Sequence, residues 1–147
     1  QNGGTRAYFK GQRHGGIYET INTGDWDVTR THVHEYGHYL ENNLPGVQGA
    51  CQAFLKHRVK NEPVVGLNTV FPESHYNEKE VGRKDHFDSY FAGPAVFYCG
   101  KDYGKQGDTE ILSMGLEALY DDPGGFARKD PEYAKFVVGV LKGHLRE

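Results

Sequence analysis

Thr31-His32-Val33-His34-Glu35-Tyr36-Gly37-His38-Tyr39-Leu40-Glu41 is the stretch on which the reading of the chain turns. Within it His34, Glu35 and His38 spell H-E-x-x-H. Residues four apart lie on one face of a helix, so both imidazoles can reach a single metal ion. Glu35 stands about 100° round the helix from His34, close enough to hold a metal-bound water. Two neutral nitrogen ligands, an open coordination position and a neighbouring carboxylate are what zinc-assisted hydrolysis requires. Val33 and Leu40, with Tyr36 between them, predict a buried stripe beside the ligand face. Gly37 is out of place in a helix interior, where it costs about 1 kcal/mol relative to Ala, and a close approach of another backbone accounts for it.

Outward from this stretch, Asp25 or Asp27 can cap the helix, which is expected over Val28–Asn43 and stopped by Asn42-Asn43 and Pro45-Gly46. Upstream, Arg6–Lys10 and Ile17–Asn22 are rich in β-branched and aromatic residues, and Gly15-Gly16 suits the turn of a hairpin. Downstream, a second helix is expected over Gln48–Lys60. Residues 62–106 are broken by Pro63, Gly66, Pro72, Gly82, Gly93, Pro94 and Gly100, and only Ala95–Tyr98 reads as a strand. A loop of this length inside a small domain is expected to build a cleft wall. A third helix should follow, with Asp108 as N-cap and Ile111, Leu112, Leu116 and Leu119 as its apolar stripe, ending at Asp121–Gly125. Asp130 as N-cap, Pro131 in the first turn and Glu132 beside it start the last helix, packed through Tyr133, Phe136, Val137, Val140 and Leu141.

The 147 residues suit one domain, 1–147, with a core of its own; starting at Gln1 without a leader, it reads as excised from a longer chain. Apolar residues make up 37% and the mean hydropathy is -0.71, with no run near the roughly 20 apolar residues that span a bilayer. No membrane role is expected, and a cytoplasmic or phage-associated location fits. The net charge of -3 carries no basic run and gives no support for nucleic-acid binding. Ten Tyr and eight Phe suit a cleft with polar-tipped walls. Cys51 and Cys99 lack C-x-x-C spacing and are expected as buried free thiols, the alternative being a disulfide between them.

Two histidines do not hold catalytic zinc tightly, so a third protein ligand is expected. Position 44 is Leu44, which removes the longer pattern that ends in a third His. His14, His57, His75, His86 and His144 fall in loops or on helix surfaces. Glu110, in the first turn of the third helix and off its apolar stripe, is the better candidate. Glu117, two turns on, is the rival ligand or an acceptor for a histidine N–H.

His34–Glu41 followed by Tyr103-Gly104-Lys105-Gln106-Gly107-Asp108-Thr109-Glu110 resembles the gluzincin peptidases of the lethal-factor type. There H-E-F-G-H-x-x-D precedes a tyrosine seven residues before the ligand glutamate, the spacing of Tyr103 and Glu110. The resemblance implies that zinc is held by His34, His38 and Glu110, that Glu35 is the general base, and that Tyr103 steadies the oxyanion. Where that family continues with a second glutamate this chain has Met114, so the role it fills is vacant or passes to Glu117. More loosely, Glu110–Glu117 and Asp130–Glu132 resemble stretches of phage head-associated proteins. The expected architecture is an α+β, zincin-like domain: a small sheet or hairpin packed on the motif helix, a ligand-bearing third helix and a C-terminal helix. The expected function is zinc-dependent hydrolysis of a peptide or protein substrate. The alternative is a phage- or effector-associated assembly module with a structural or vestigial zinc site. An intact Glu35 argues against it, since a structural site has no use for a base.

Overall fold

The computed structural model describes residues 8–10, 20–22, 28–85, 89–104 and 107–143. The H-E-x-x-H stretch lies in α1 (Val28–Asn43), whose bounds are those the capping and stop residues predict. Leu40 is buried and Val33 is partly covered, but Tyr36 is exposed and stacks on Tyr39 rather than joining the stripe. α1 runs alongside α5 (Ile111–Asp121), and their contact explains Gly37. A Cβ at that position would stand 2.5 Å from Ser113 Cα and 2.8 Å from Ser113 N, so only a hydrogen lets the two backbones meet.

α5 is buried on nearly every side, Ile111–Leu116 and Ala118 all being inaccessible, because it is wrapped by neighbours. These are α1, α2 (Val47–Arg58), α6 (Pro123–Lys129) and α7 (Pro131–Leu141). Each of its large aliphatic side chains contributes about 1.5–3 kcal/mol by leaving water. The helix starts two residues later than expected, with Glu110 at its N-cap position. Asp108 does not cap it; the Asp108 carboxylate takes a hydrogen bond from Gln48 Nε2 (3.1 Å), and Thr109 Oγ1 accepts from Ile111 N (3.1 Å). α6 occupies what reads as the terminating turn. The Asp122 side chain accepts from Gly125 N with Pro123 following it, the same device that starts α7 at Asp130 and Pro131.

Two small antiparallel sheets complete an α+β architecture. β1 (Tyr8–Lys10) pairs with β2 (Thr20–Asn22) in the register Phe9 opposite Ile21, as a hairpin requires. The expected turn at Gly15-Gly16 and the caps Asp25 and Asp27 lie outside the described residues, as do His14, His86 and His144. Within the segment expected to be irregular, β3 (Val65–Gly66), β4 (Val81–Gly82) and β5 (Lys101–Asp102) form a sheet in that order. α3 (Leu67–Val70) follows β3 directly. The strand expected at Ala95–Tyr98 is instead a short helix, α4 (Ala95–Cys99). Pro94 opens it, and the buried residues Val96 and Cys99 stand three apart, the spacing of one helical face.

One buried cation ties this segment to the C-terminal helices. Arg58, 1% exposed, donates through Nε and Nη2 to both oxygens of Asp85 (2.7 and 2.8 Å) and through Nη1 to Asp130 Oδ1 (2.8 Å). Its guanidinium lies 5.1 Å from the Tyr133 ring centroid and 5.4 Å from that of Phe54. Burial opposes the charge, but the two aspartates outweigh it and raise the Arg58 pKa further. Cys51 and Cys99 are both buried and free. No helix among the described residues is long and apolar enough to cross a membrane.

Candidate functional site

Three side chains from two elements converge on one point. α1 presents His34 and His38 on the face that meets α5, and the residue at the start of α5 is Glu110. Ligand atoms of His34, His38 and Glu110 all lie within 4.8 Å of one another. Glu110 Oε1 is 3.2 Å from His34 Nε2 and 3.0 Å from His38 Nε2. The two imidazoles meet edge to face at 5.1 Å. Both nitrogens aimed at the carboxylate are Nε2, which leaves each Nδ1 for an orienting partner.

For His34 that partner is Glu117, whose Oε2 pairs with Nδ1. Glu117 is held in turn by Arg30 Nε (2.9 Å), and Arg30 Nη2 also reaches Asp121 Oδ2 (3.0 Å). Of the two acidic candidates on the third helix, Glu110 therefore stands on the ligand side and Glu117 behind the histidine. Glu110 is 1% exposed and tightly held: Tyr103 Oη donates to its Oε2 and Ser113 Oγ donates to its Oε1 (2.8 Å). Tyr103 is placed by a sharp turn, with Gly104 at φ 67 and its N–H donating to Asp102 Oδ1 (2.7 Å).

The charges respond to this crowding. Burial alone would raise the Glu110 pKa, yet His38 and His34 hold it well below the usual carboxylate range. Burial opposes protonation of His34, but Glu110 and Glu117 outweigh it and push its pKa up to about 10. His38 shifts upward in the same sense, with Glu110 again overcoming burial. Burial followed by the charge of Glu110 pushes the Tyr103 phenol upward, so it stays a donor at neutral pH.

Glu35 completes the cluster. It is 2% exposed, and its Oε1 is buried with no hydrogen-bond partner among the described residues. Desolvation raises its pKa, against the pull of His34 and His38. An ionisable oxygen in that state is a group waiting for a donor. The N, N, O donor set and this orphaned oxygen together fit a zinc ion and its water.

The wall that faces this cluster comes from the segment in which the sequence shows little order. Tyr98 of α4 lies 6.2 Å from the His34 ring, and burial with the charge and hydrogen bonding of Glu110 pushes its phenol well upward. Lys101 is 5% exposed, ion-paired to Glu80 (3.0 Å), with its Nζ 4.6 Å from the Tyr103 ring centroid. Sequence reading missed Tyr98, Lys101 and Ser113. Only Ser113 left a trace there, since it follows Glu110 by three residues on one helix. His57 is exposed and pairs with Glu132, and His75 is exposed; neither approaches the cluster.

No family model, curated protein or solved structure matches the chain.

Proposed function

We propose that the chain is a zincin-like, zinc-dependent peptidase of the gluzincin type. In it His34 Nε2, His38 Nε2 and the Glu110 carboxylate would hold the metal. The observation that carries the reading is Glu35 Oε1, buried with no partner among the described residues and on the same helix as two of three converging side chains. A bound zinc ion would lower the pKa of its water toward about 7 and polarise the carbonyl of the substrate. Glu35 takes the proton of the attacking water at Oε1 and delivers it to the departing amine. Its desolvated setting, which raises its pKa, makes the first of these transfers easier than it would be for a solvated carboxylate. Tyr103 Oη, which donates its one proton to the Glu110 carboxylate in the metal-free site, would turn it to the developing oxyanion. Glu117 keeps His34 in the tautomer that points Nε2 inward, with Arg30 fixing Glu117.

The test is Glu35→Gln, with zinc content and turnover of an unfolded protein substrate measured on the same preparation. The amide is nearly isosteric and cannot accept the water's proton. Zinc should stay at one per chain while turnover falls on the order of 10²–10⁴-fold. Undiminished turnover in that variant would end the reading.

A further inference from the structure

Glu41 has no place in the chemistry above, yet it is among the least accessible side chains in the protein, 1% exposed. It stands three residues beyond His38, on the same helix as both histidines. Its Oε2 accepts two hydrogen bonds, from Thr109 N (2.8 Å) and from Thr109 Oγ1 (2.9 Å). Its Oε1 is buried with no partner among the described residues. No cation is paired with it among the described residues, and desolvation raises its pKa to about 8. A buried carboxyl group is a costly way to join two helices that already meet at Gly37 and Ser113.

What the carboxyl does hold is the residue next to Glu110. Thr109 Oγ1 also accepts from Ile111 N (3.1 Å), so the hydroxyl that Glu41 grips is the one that satisfies the first turn of α5. Glu110 sits between these two anchored backbone N–H groups, and its own carbonyl accepts from Met114 N (3.0 Å). Its side chain leaves the chain from a turn that α1 fixes on one side and α5 on the other. We propose that Glu41 is a positioning residue: through Thr109 it sets where Glu110 stands relative to His34 and His38, and so sets the metal affinity of the three-residue cluster. The proposal rests on the zinc reading given above. It makes α1 the source of two ligands and of the grip on the third, so the ligand set is referenced to one rigid element.

Zinc is titrated into the metal-free full chain against a chromophoric chelator, for wild type, Glu41→Gln and Glu41→Leu, with a melting curve of each metal-free protein. Leu keeps the bulk and accepts no hydrogen bond, so zinc should bind about 10–100-fold more weakly. Gln keeps a carbonyl for Thr109 and should return affinity to within about threefold of wild type. If Glu41→Leu does not fold, Thr109→Val, which removes the hydroxyl alone, should still weaken zinc by about threefold or more. Wild-type affinity in a folded Glu41→Leu, or in Thr109→Val, overturns the proposal, as does a Gln variant as weak as Leu. A wild type that takes no zinc from the chelator overturns the zinc reading itself, and is distinct from zinc bound equally by wild type and Glu41→Leu.

Discussion

Replacing Gly37 by Ala sets two opposite effects against each other at one atom. Ala is the better helix former by about 1 kcal/mol, so on α1 alone the change would stabilise. The added Cβ, however, would stand 2.5 Å from Ser113 Cα and 2.8 Å from Ser113 N, and both are backbone atoms that cannot swing aside. Relief requires α1 and α5 to part by about 1 Å, and overpacking of this kind costs about 1–3 kcal/mol. The separation also falls between the histidines and their partner, because Glu110 Oε1 meets His34 Nε2 and His38 Nε2 across the same interface. Sterics should win. Gly37→Ala should lose about 1–2 kcal/mol in a denaturant melt, roughly 3–8 °C in Tm, and should bind zinc more weakly. Gly49→Ala is the control, since its Cβ would meet nothing within 4 Å; it should gain about 0.5–1 kcal/mol and leave zinc binding alone. A Gly37→Ala protein as stable as Gly49→Ala, with wild-type zinc affinity, would refute the reasoning.

Three further outcomes separate the roles assigned to neighbouring residues. Glu110→Ala should remove most zinc, while Glu117→Ala, which leaves His34 without its Nδ1 partner, should weaken zinc by about 10–100-fold; the reverse order in a chelator competition would make Glu117 the ligand. Tyr103→Phe should keep zinc content and Tm near wild type while lowering kcat about 10²–10³-fold with little change in KM, whereas early melting with normal turnover per folded molecule would make Tyr103 a packing residue. In the metal-free protein His34 holds its proton up to about pH 10, so its ion pairs stabilise the fold fully below the ordinary value of 6.5 and are lost as pH rises through about 10. Zinc must displace that proton, so apparent affinity should rise by about tenfold per pH unit between about pH 6 and about pH 9, and a pH-independent affinity would contradict it.

α1 was legible because several signals agree there: histidines at i and i+4, a helix stop at Asn42-Asn43 before Pro45, and a glycine whose only use is proximity. The start of α7 was legible for the same reason, Asp130 and Pro131 being a cap and a first-turn residue in order. The identical pair Asp122 and Pro123 was outweighed by Gly124-Gly125, which reads as a turn, although the Asp122 side chain closes on Gly125 N and carries a helix through both glycines. Ala95–Tyr98 is apolar throughout, so neither a two-residue nor a helical period can be read from it. Thr109 hid the start of α5, because its hydroxyl caps the turn while being held from another helix, and nothing local in the sequence reports a partner 68 residues away. Lys101 and Tyr98 reach the cluster through short strands and a one-turn helix, where tertiary packing and not periodicity fixes direction.

Arg58 has a consequence for how the molecule comes apart. Asp130 serves two masters: it accepts from Arg58, and it satisfies the Tyr133 N–H (3.2 Å) that opens α7. Asp85 belongs to the stretch that carries the aromatic wall, and it has the other arm of the same guanidinium. Pulling that stretch away leaves the guanidinium under Phe54 and Tyr133 with Asp130 but without the two bonds to Asp85. Opening the wall by itself therefore breaks a buried, two-pronged ion pair. A lysine at 58, with one ammonium in place of a fork, could not make the same three-way joint.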